Sequence, residues 1–258
     1  MDVSAAEATA FVGSLLWPFM RISAMLMAIP VIGTRLVTVR IRIAMAVAIT
    51  LFTMPLLTQP MPAVDPLSVA GLMVSINQIL IGLAMGFILQ MVLAALTIAG
   101  EAIAMTMGLG FASMVDPANG VNVPVLSQFF LIMGTLLFLV LGGHLMIIQL
   151  VVNSFQTLPI AGTGIERESF WVIISFASQM FIGAAWIALP AIASILVITL
   201  AMGIMTRAAP QLNIFSVGFP VTMLMGFIIL MLVMPGVLPR FSQLLLMGMQ
   251  ASQRIGGL

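Results

Sequence analysis

The chain has 258 residues, 62% of them hydrophobic and only 6% charged, against roughly 25% charged in an ordinary soluble domain. That balance excludes a soluble globular protein and defines an all-α membrane protein, because a transmembrane barrel would alternate apolar and polar residues along many short strands and no such alternation is present. The formal charge of +1, eight Arg and no Lys against seven acids, is too weak and scattered for nucleic acid, and the lack of Cys excludes disulfides and thiolate chemistry.

The N-terminus carries Asp2 and Glu7 before any basic residue. That is the wrong sign for a signal peptide, so the first apolar segment, residues 11–33, is expected to be retained. Arg21 lies near its middle, where a charge costs at least about 2.5–3.5 kcal/mol. It is expected to snorkel past Pro18 to an interface, or to be held in a buried ion pair or an inter-subunit contact. Arg35, Arg40 and Arg42 follow as the densest basic cluster. The positive-inside rule makes that loop cytoplasmic and puts the N-terminus outside.

A second segment, residues 43–58, is barely long enough to span and runs into a Pro-rich loop. The third, residues 67–100, would measure about 51 Å as one helix against a hydrocarbon core of about 30 Å. Asn77, Gln78 and Gln90 within it favour cover by protein over lipid, and Gly82 and Gly86 form a small-xxx-small face.

Residues 100–124 interrupt the apolar pattern. They open on Glu101, pass through Met105, Met107, Gly108, Gly110 and Phe111, and end on the turn signals Asp116-Pro117 and Asn119-Gly120. Such a loop cannot face lipid, since its backbone groups would lack partners there; it must lie inside protein or line a cavity. A fourth segment, residues 123–157, with Asn122 as a cap and Pro124 in the first turn, contains His144, expected to be a hydrogen-bonded structural histidine.

Residues 159–169 read as a solvated loop with Ser169 as a possible cap. The fifth segment, residues 170–206, is predicted to kink at Pro190 and carries Ser175, Gln179 and Gly183 as one small and polar stripe. The sixth, residues 214–237, is interrupted by Pro220. From Arg240 the chain becomes amphipathic, with Arg240, Gln243, Gln250 and Arg254 on one side and Leu244, Leu245, Met249 and Ser252 on the other. This suits an interfacial helix or one docked on a partner. Six spans result, with long, kinked helical hairpins around an internal apolar loop.

Enzyme chemistry finds no support. There is one His, no phosphate loop, no paired set of metal ligands, and Gly108-Leu109-Gly110 lacks the strand–turn–helix setting of a dinucleotide site. No cofactor is implied. Two classes remain open: a subunit of a multi-protein channel or secretion gate, or a stand-alone transporter or ion channel using Arg21, Glu101, Asp116 and His144 as an intramembrane charge path.

Six blocks in order carry a resemblance: WPFMRISAMLMAIP (residues 17–30), QILIGLAMGF (78–87), AGEAIAMTMGLGFASMVDP (99–117), NVPVLSQF (122–129), TLPI (157–160) and APQLNIFSVGFP (209–220). The chain resembles the FliR family of flagellar biosynthetic proteins of the bacterial type III export gate. The resemblance implies one chain in a gate with FliP and FliQ subunits, alongside other export-apparatus membrane proteins, in the inner membrane at the flagellar basal body. Unfolded flagellar proteins would be its cargo. It implies a FliP-like portion over about residues 1–165 and a FliQ-like portion over about 166–258. It also implies a plug loop at Met107, Gly108, Leu109, Gly110, Phe111 and Met114, the last standing where some members have Phe. Arg21 and Glu101 are then expected to be held by neighbours in the assembly.

Overall fold

Asp65 and Ser68 set where a long central helix begins. Asp65 Oδ1 accepts the Leu67 N–H at 2.9 Å, and Ser68 Oγ accepts the Gly71 N–H at 3.1 Å, an N-cap bond to the third helical residue. From there the chain is helical and apolar without a break for 38 residues.

The structure, a computed structural model, describes residues 5–29, 31–33, 37–57, 62, 64–109, 125–160, 164, 167–209 and 218–257. Among them the chain forms α1 (Ala5–Ala28), α2 (Val39–Thr53), α3 (Val69–Thr106), α4 (Val125–Val140), α5 (Gly143–Thr157), α6 (Arg167–Ala208), α7 (Phe219–Val233) and α8 (Val237–Ile255). Short 3-10 turns, Met54–Leu56 and Met234–Gly236, follow α2 and α7, and no strand is present among the described residues. The all-α membrane class read from composition is therefore the observed one.

The contacts divide the chain into two compact units. One comprises Met1–Met91, Phe138–Ala177 and Leu245–Leu258. Its core joins Trp17, Ile22 and Met25 of α1 to Ile81, Met85 and Ile88 of α3 and to Ile147 and Phe155 of α5. The small face predicted at Gly82 and Gly86 packs on α1. A Cβ at Gly82 would strike the Arg21 carbonyl, and one at Gly86 would lie 2.7 Å from Ala28 Cβ. α8 contributes Ser252, whose hydroxyl donates to the Met85 carbonyl at 3.1 Å. Its amphipathic split is as predicted, with Gln243, Gln250 and Arg254 exposed and Leu244, Leu245, Met249 and Ser252 buried. The surface it docks on, however, belongs to its own chain.

The other unit comprises Val92–Leu137 and Ser178–Leu244. Here α3 and α4 approach closely because each offers a glycine. A Cβ on Gly100 would sit 2.9 Å from Ser127 Cα, and one on Gly134 would strike the Leu96 side chain. Gly183 of α6 lies against Leu244 of α8, whereas Ser175 is exposed, so the predicted Ser175, Gln179 and Gly183 stripe does not act as one contact face.

Several boundaries differ from the sequence reading. The fourth segment is two helices. Gly142 takes a left-handed conformation (φ 74°) between α4 and α5, and a neighbouring glycine, Gly143, leaves room for the Phe138 ring. Pro220 does not interrupt the sixth segment; it occupies the first turn of α7, where a missing N–H costs nothing. Ser169 lies inside the first turn of α6 and does not cap it, and Glu168 at that end and Arg207 in the last turn complement the helix dipole. α6 stays one continuous helix through Pro190. Asn122 and Pro124 lie outside the described residues.

Among the described residues four helical stretches are long and apolar enough to cross a membrane, Val39–Leu56, Val69–Thr106, Arg167–Ala208 and Phe219–Ile255, or five if α4 and α5 are one broken span. Six were expected. α1, which holds Arg21, is not among them.

Candidate functional site

Arg21 is completely buried on the inner face of α1. Its Nε donates to Gln78 Oε1 of α3 at 2.7 Å. Nη1 donates to the Ser154 carbonyl at 2.8 Å and to Ser154 Oγ at 3.1 Å, and Nη2 donates to the Leu158 carbonyl at 2.9 Å. The Phe155 ring centroid lies 4.4 Å from the guanidinium carbon. None of these partners is an acid.

The negative charge that holds the guanidinium comes from the end of α5. Ser154 and Leu158 bracket its C-terminus: the Leu158 carbonyl lies past the last helical N–H, the Ser154 carbonyl accepts both the Leu158 N–H at 3.0 Å and the guanidinium, and the summed peptide dipoles leave partial negative charge there. A fork of five donors matches three such acceptors, which a Lys ammonium could not span. A turn earlier on α1, Trp17 Nε1 donates to Ser75 Oγ at 3.2 Å, and Thr157 Oγ1 donates to the Gly256 carbonyl at the end of α8. Four helices of one unit thus converge on Arg21 and its immediate surroundings. Arg21 therefore neither snorkels nor sits in an ion pair, and it needs no second chain; the helix end removes the need for a carboxylate.

Glu101, the other expected buried charge, is exposed on α3 in the isolated chain. His144 is exposed in the first turn of α5, which corrects the expectation of a hydrogen-bonded core histidine: the Gly142 turn starts a new helix there with Gly143 facing inward. Asp116 lies outside the described residues. The charges proposed as a relay are thus not brought together among those described.

The start of the central loop is built from α3. The Gly108 N–H donates to the Met105 carbonyl at 3.1 Å and the Leu109 N–H reaches back to the Ala104 carbonyl at 3.0 Å, with Gly108 left-handed at φ 81°. This pair of bonds is the Schellman termination, which satisfies the final carbonyls and requires a residue free to adopt positive φ. Gly108 is the helix stop. Met107 is fully buried against α7, where Gly226 leaves space for it: a Cβ at Gly226 would lie 2.7 Å from Met107 Cε. The Phe219 ring covers Gly108. Of the predicted loop residues, Met107, Gly108 and Leu109 are described; Gly110, Phe111 and Met114 lie outside the described residues.

Sequence reasoning had marked Arg21 and Gln78 but missed Ser154, Phe155 and Leu158. The apolar pattern of α5 carried no sign that its end would meet α1, and only the polar Gln78 hinted at a partner.

These features define an α-helical membrane protein with long apolar helices, of which α3 is the most enclosed, and with no assembled catalytic set among the described residues. Residues 12–247 match the family described as bacterial export proteins, family 1, and the chain belongs to that family, whose members are export proteins and not enzymes. It is 41% identical over 233 residues to the flagellar biosynthetic protein FliR of Pectobacterium carotovorum subsp. carotovorum, covering 90% of this chain and 88% of that one. It is 37% identical over 239 residues to FliR of Escherichia coli strain K12, covering 93% and 91%, and 32% identical over 220 residues to FliR of Bacillus subtilis strain 168, covering 84% of each. The FliR resemblance carried by the six sequence blocks is therefore the correct one.

Proposed function

We propose that the chain is a subunit of the flagellar type III export gate, forming with FliP and FliQ the channel for unfolded flagellar proteins in the inner membrane at the basal body. The observation that carries this reading is the similarity to FliR proteins along about nine tenths of the chain. Within that reading about residues 1–165 form a FliP-like portion and 166–258 a FliQ-like portion. Arg21 ties the helices of one unit together, and Glu101, exposed in the isolated chain, is held by a neighbouring subunit.

Residues 107–114 close the pore at rest. Support comes from the chemistry of the stretch and from its root. Apolar side chains exclude water and ions without a covalent or ionic lock, and flexible Met repacks around varied passing sequences. The Schellman stop at Gly108 and the seating of Met107 against Gly226 fasten one end of the loop while Leu109, Phe111 and Met114 remain to fill the opening.

Co-expression with FliP and FliQ in mild detergent tests the assembly: one large complex containing this chain is expected, whereas a stable monomer with saturable solute uptake in liposomes would overturn it. Deleting residues 108–112 tests the plug. Normal assembly with raised leakage of ions or small solutes is expected, and an assembled but tight variant would end the assignment.

A further inference from the structure

Pro190 lies inside α6 without breaking it. A proline has no N–H, so the carbonyl four residues before it, that of Trp186, loses its helical donor. Arg240 of α8 supplies one, since its Nη1 donates to that carbonyl. One turn further along α8, Leu244 meets Gly183, about one turn earlier on α6; a Cβ on Gly183 would lie 2.9 Å from the Leu244 side chain. The two contacts set α6 antiparallel to the stretch formed by α7 and α8, inside one compact unit.

That register brings Phe219, at the start of α7, level with Arg207, near the end of α6. Trp186 and Arg207 are 21 residues apart, and so are Phe219 and Arg240. At 1.5 Å per residue each run measures about 32 Å, against a hydrocarbon core of about 30 Å. Neither run holds a charged residue between its ends. Every hydroxyl in the two runs is spent on its own helix. Ser194 donates to the Pro190 carbonyl at 2.8 Å, Thr199 to that of Ile195 at 2.9 Å, Thr206 to that of Gly203 at 3.0 Å and Thr222 to that of Phe219 at 3.0 Å. Outward-facing Leu196, Val197, Leu200, Leu224, Ile228 and Met231 are exposed and apolar. The pair therefore keeps no polar group in reserve for a second helix, as an interhelical contact in a membrane would use; acyl chains ask for none.

The polar groups gather at the ends of the two runs. Arg240 is half-buried and Trp186 is exposed. One of the five guanidinium donors of Arg240 is engaged by the Trp186 carbonyl, and no carboxylate pairs with it among the described residues. Trp and Arg are residues of headgroup depth, and a guanidinium fork matches the oxygens of a phosphate. A headgroup without its own cation leaves that phosphate charge for the protein.

We infer that Arg240 and Trp186 mark one headgroup boundary of the bilayer, where Arg240 holds the phosphate of an acidic phospholipid while its Nη1 satisfies the carbonyl that Pro190 leaves open. Residues 186–207 and 219–240 then fill the hydrocarbon core as a hairpin. The inference rests on the membrane class of the chain and is independent of the gate reading and of the plug.

The chain has no Cys, so single spin labels test the boundary on the full chain in nanodiscs of phosphatidylglycerol and phosphatidylcholine. A label at Val197→Cys, midway between Trp186 and Arg207, should be reached by oxygen and not by a polar nickel chelate. One at Ser178→Cys, about 12 Å beyond Trp186 along α6, should be reached by the chelate. Chelate access at residue 197, shielding of it from both reagents as a covering protein would give, or a label at 178 as deep as that at 197 overturns the span. Native mass spectrometry tests the headgroup. The chain should retain phosphatidylglycerol in preference to phosphatidylcholine, and Arg240→Gln, which can still donate to the carbonyl, should bring the two to parity. Arg240→Lys keeps charge and donor and should keep the preference. A native chain without preference, an unchanged Gln variant or a Lys variant at parity overturns the phosphate contact. Displacement of the lipid by millimolar inorganic phosphate would make this a site for the free anion and overturn the lipid assignment.

Discussion

Burying a guanidinium without a carboxylate works at Arg21 because helix-end carbonyls supply distributed negative charge at fixed positions, so four hydrogen bonds replace one ion pair. Removing the fork takes away the donors to the Leu158 carbonyl and Gln78 Oε1, while the Ser154 carbonyl keeps the Leu158 N–H. Arg21→Met is expected to cost about 1–3 kcal/mol for each buried acceptor left without a donor, read as a lower thermal midpoint in detergent. Arg21→Lys should recover only part of that loss, since an ammonium on a flexible stem reaches fewer of the three partner residues, Gln78 on α3 and Ser154 and Leu158 at the end of α5, at once. Equal stability of the Lys variant and the native chain would show that charge alone, and not the fork, matters there. Glu101 supplies the contrast. It is exposed, so Glu101→Gln should change the stability of the isolated chain by no more than about 0.5 kcal/mol. If a neighbouring subunit holds the carboxylate, recovery of the assembled complex should fall all the same.

At the scale of the helices, three glycines separate conformation from packing. Gly142 is left-handed with nothing within 4 Å of a would-be Cβ, so Gly142→Ala should destabilise by the backbone penalty alone, about 1–2 kcal/mol. Gly108 is left-handed too, but a Cβ there would also press to 2.9 Å from the Phe219 ring, so Gly108→Ala should cost more. Gly203 lies inside α6 without positive φ and with open space around it. Gly203→Ala should stabilise by about 0.5–1 kcal/mol through helix propensity. Thermal midpoints of the three variants in one detergent check the order, and a stabilising Gly142→Ala would contradict the turn that divides α4 from α5.

For the whole molecule, the arginines at the start of α2 bear on orientation. Arg40 and Arg42 lie in the first turn of an apolar helix that is exposed along most of its length, and the positive-inside rule sets such an end in the cytoplasm. The native chain has no Cys, so a single Thr38→Cys gives labelling without background. A membrane-impermeant maleimide should fail to label it in intact cells and should label it once the inner membrane is opened. Labelling from outside would reverse the orientation.

Composition and the lack of apolar/polar alternation together determined that this is an all-α membrane protein, because only helices and closed barrels satisfy the backbone in lipid and the barrel pattern is missing from a chain with 62% apolar content. Local pattern located the glycine contact face at residues 82 and 86 and the amphipathic end of the chain, since each depends on residues within a few positions of one another, whereas the third segment, read as ending at residue 100, continues as α3 to Thr106. The partners of Arg21 were not legible: Gln78, Ser154 and Leu158 are 57 to 137 residues away along the chain. Nor could periodicity tell that Glu101 and His144 face outward, because in a uniformly apolar sequence the two sides of a helix carry the same kinds of residue. Which side is buried is decided only when the helices pack and their glycines let particular backbones meet.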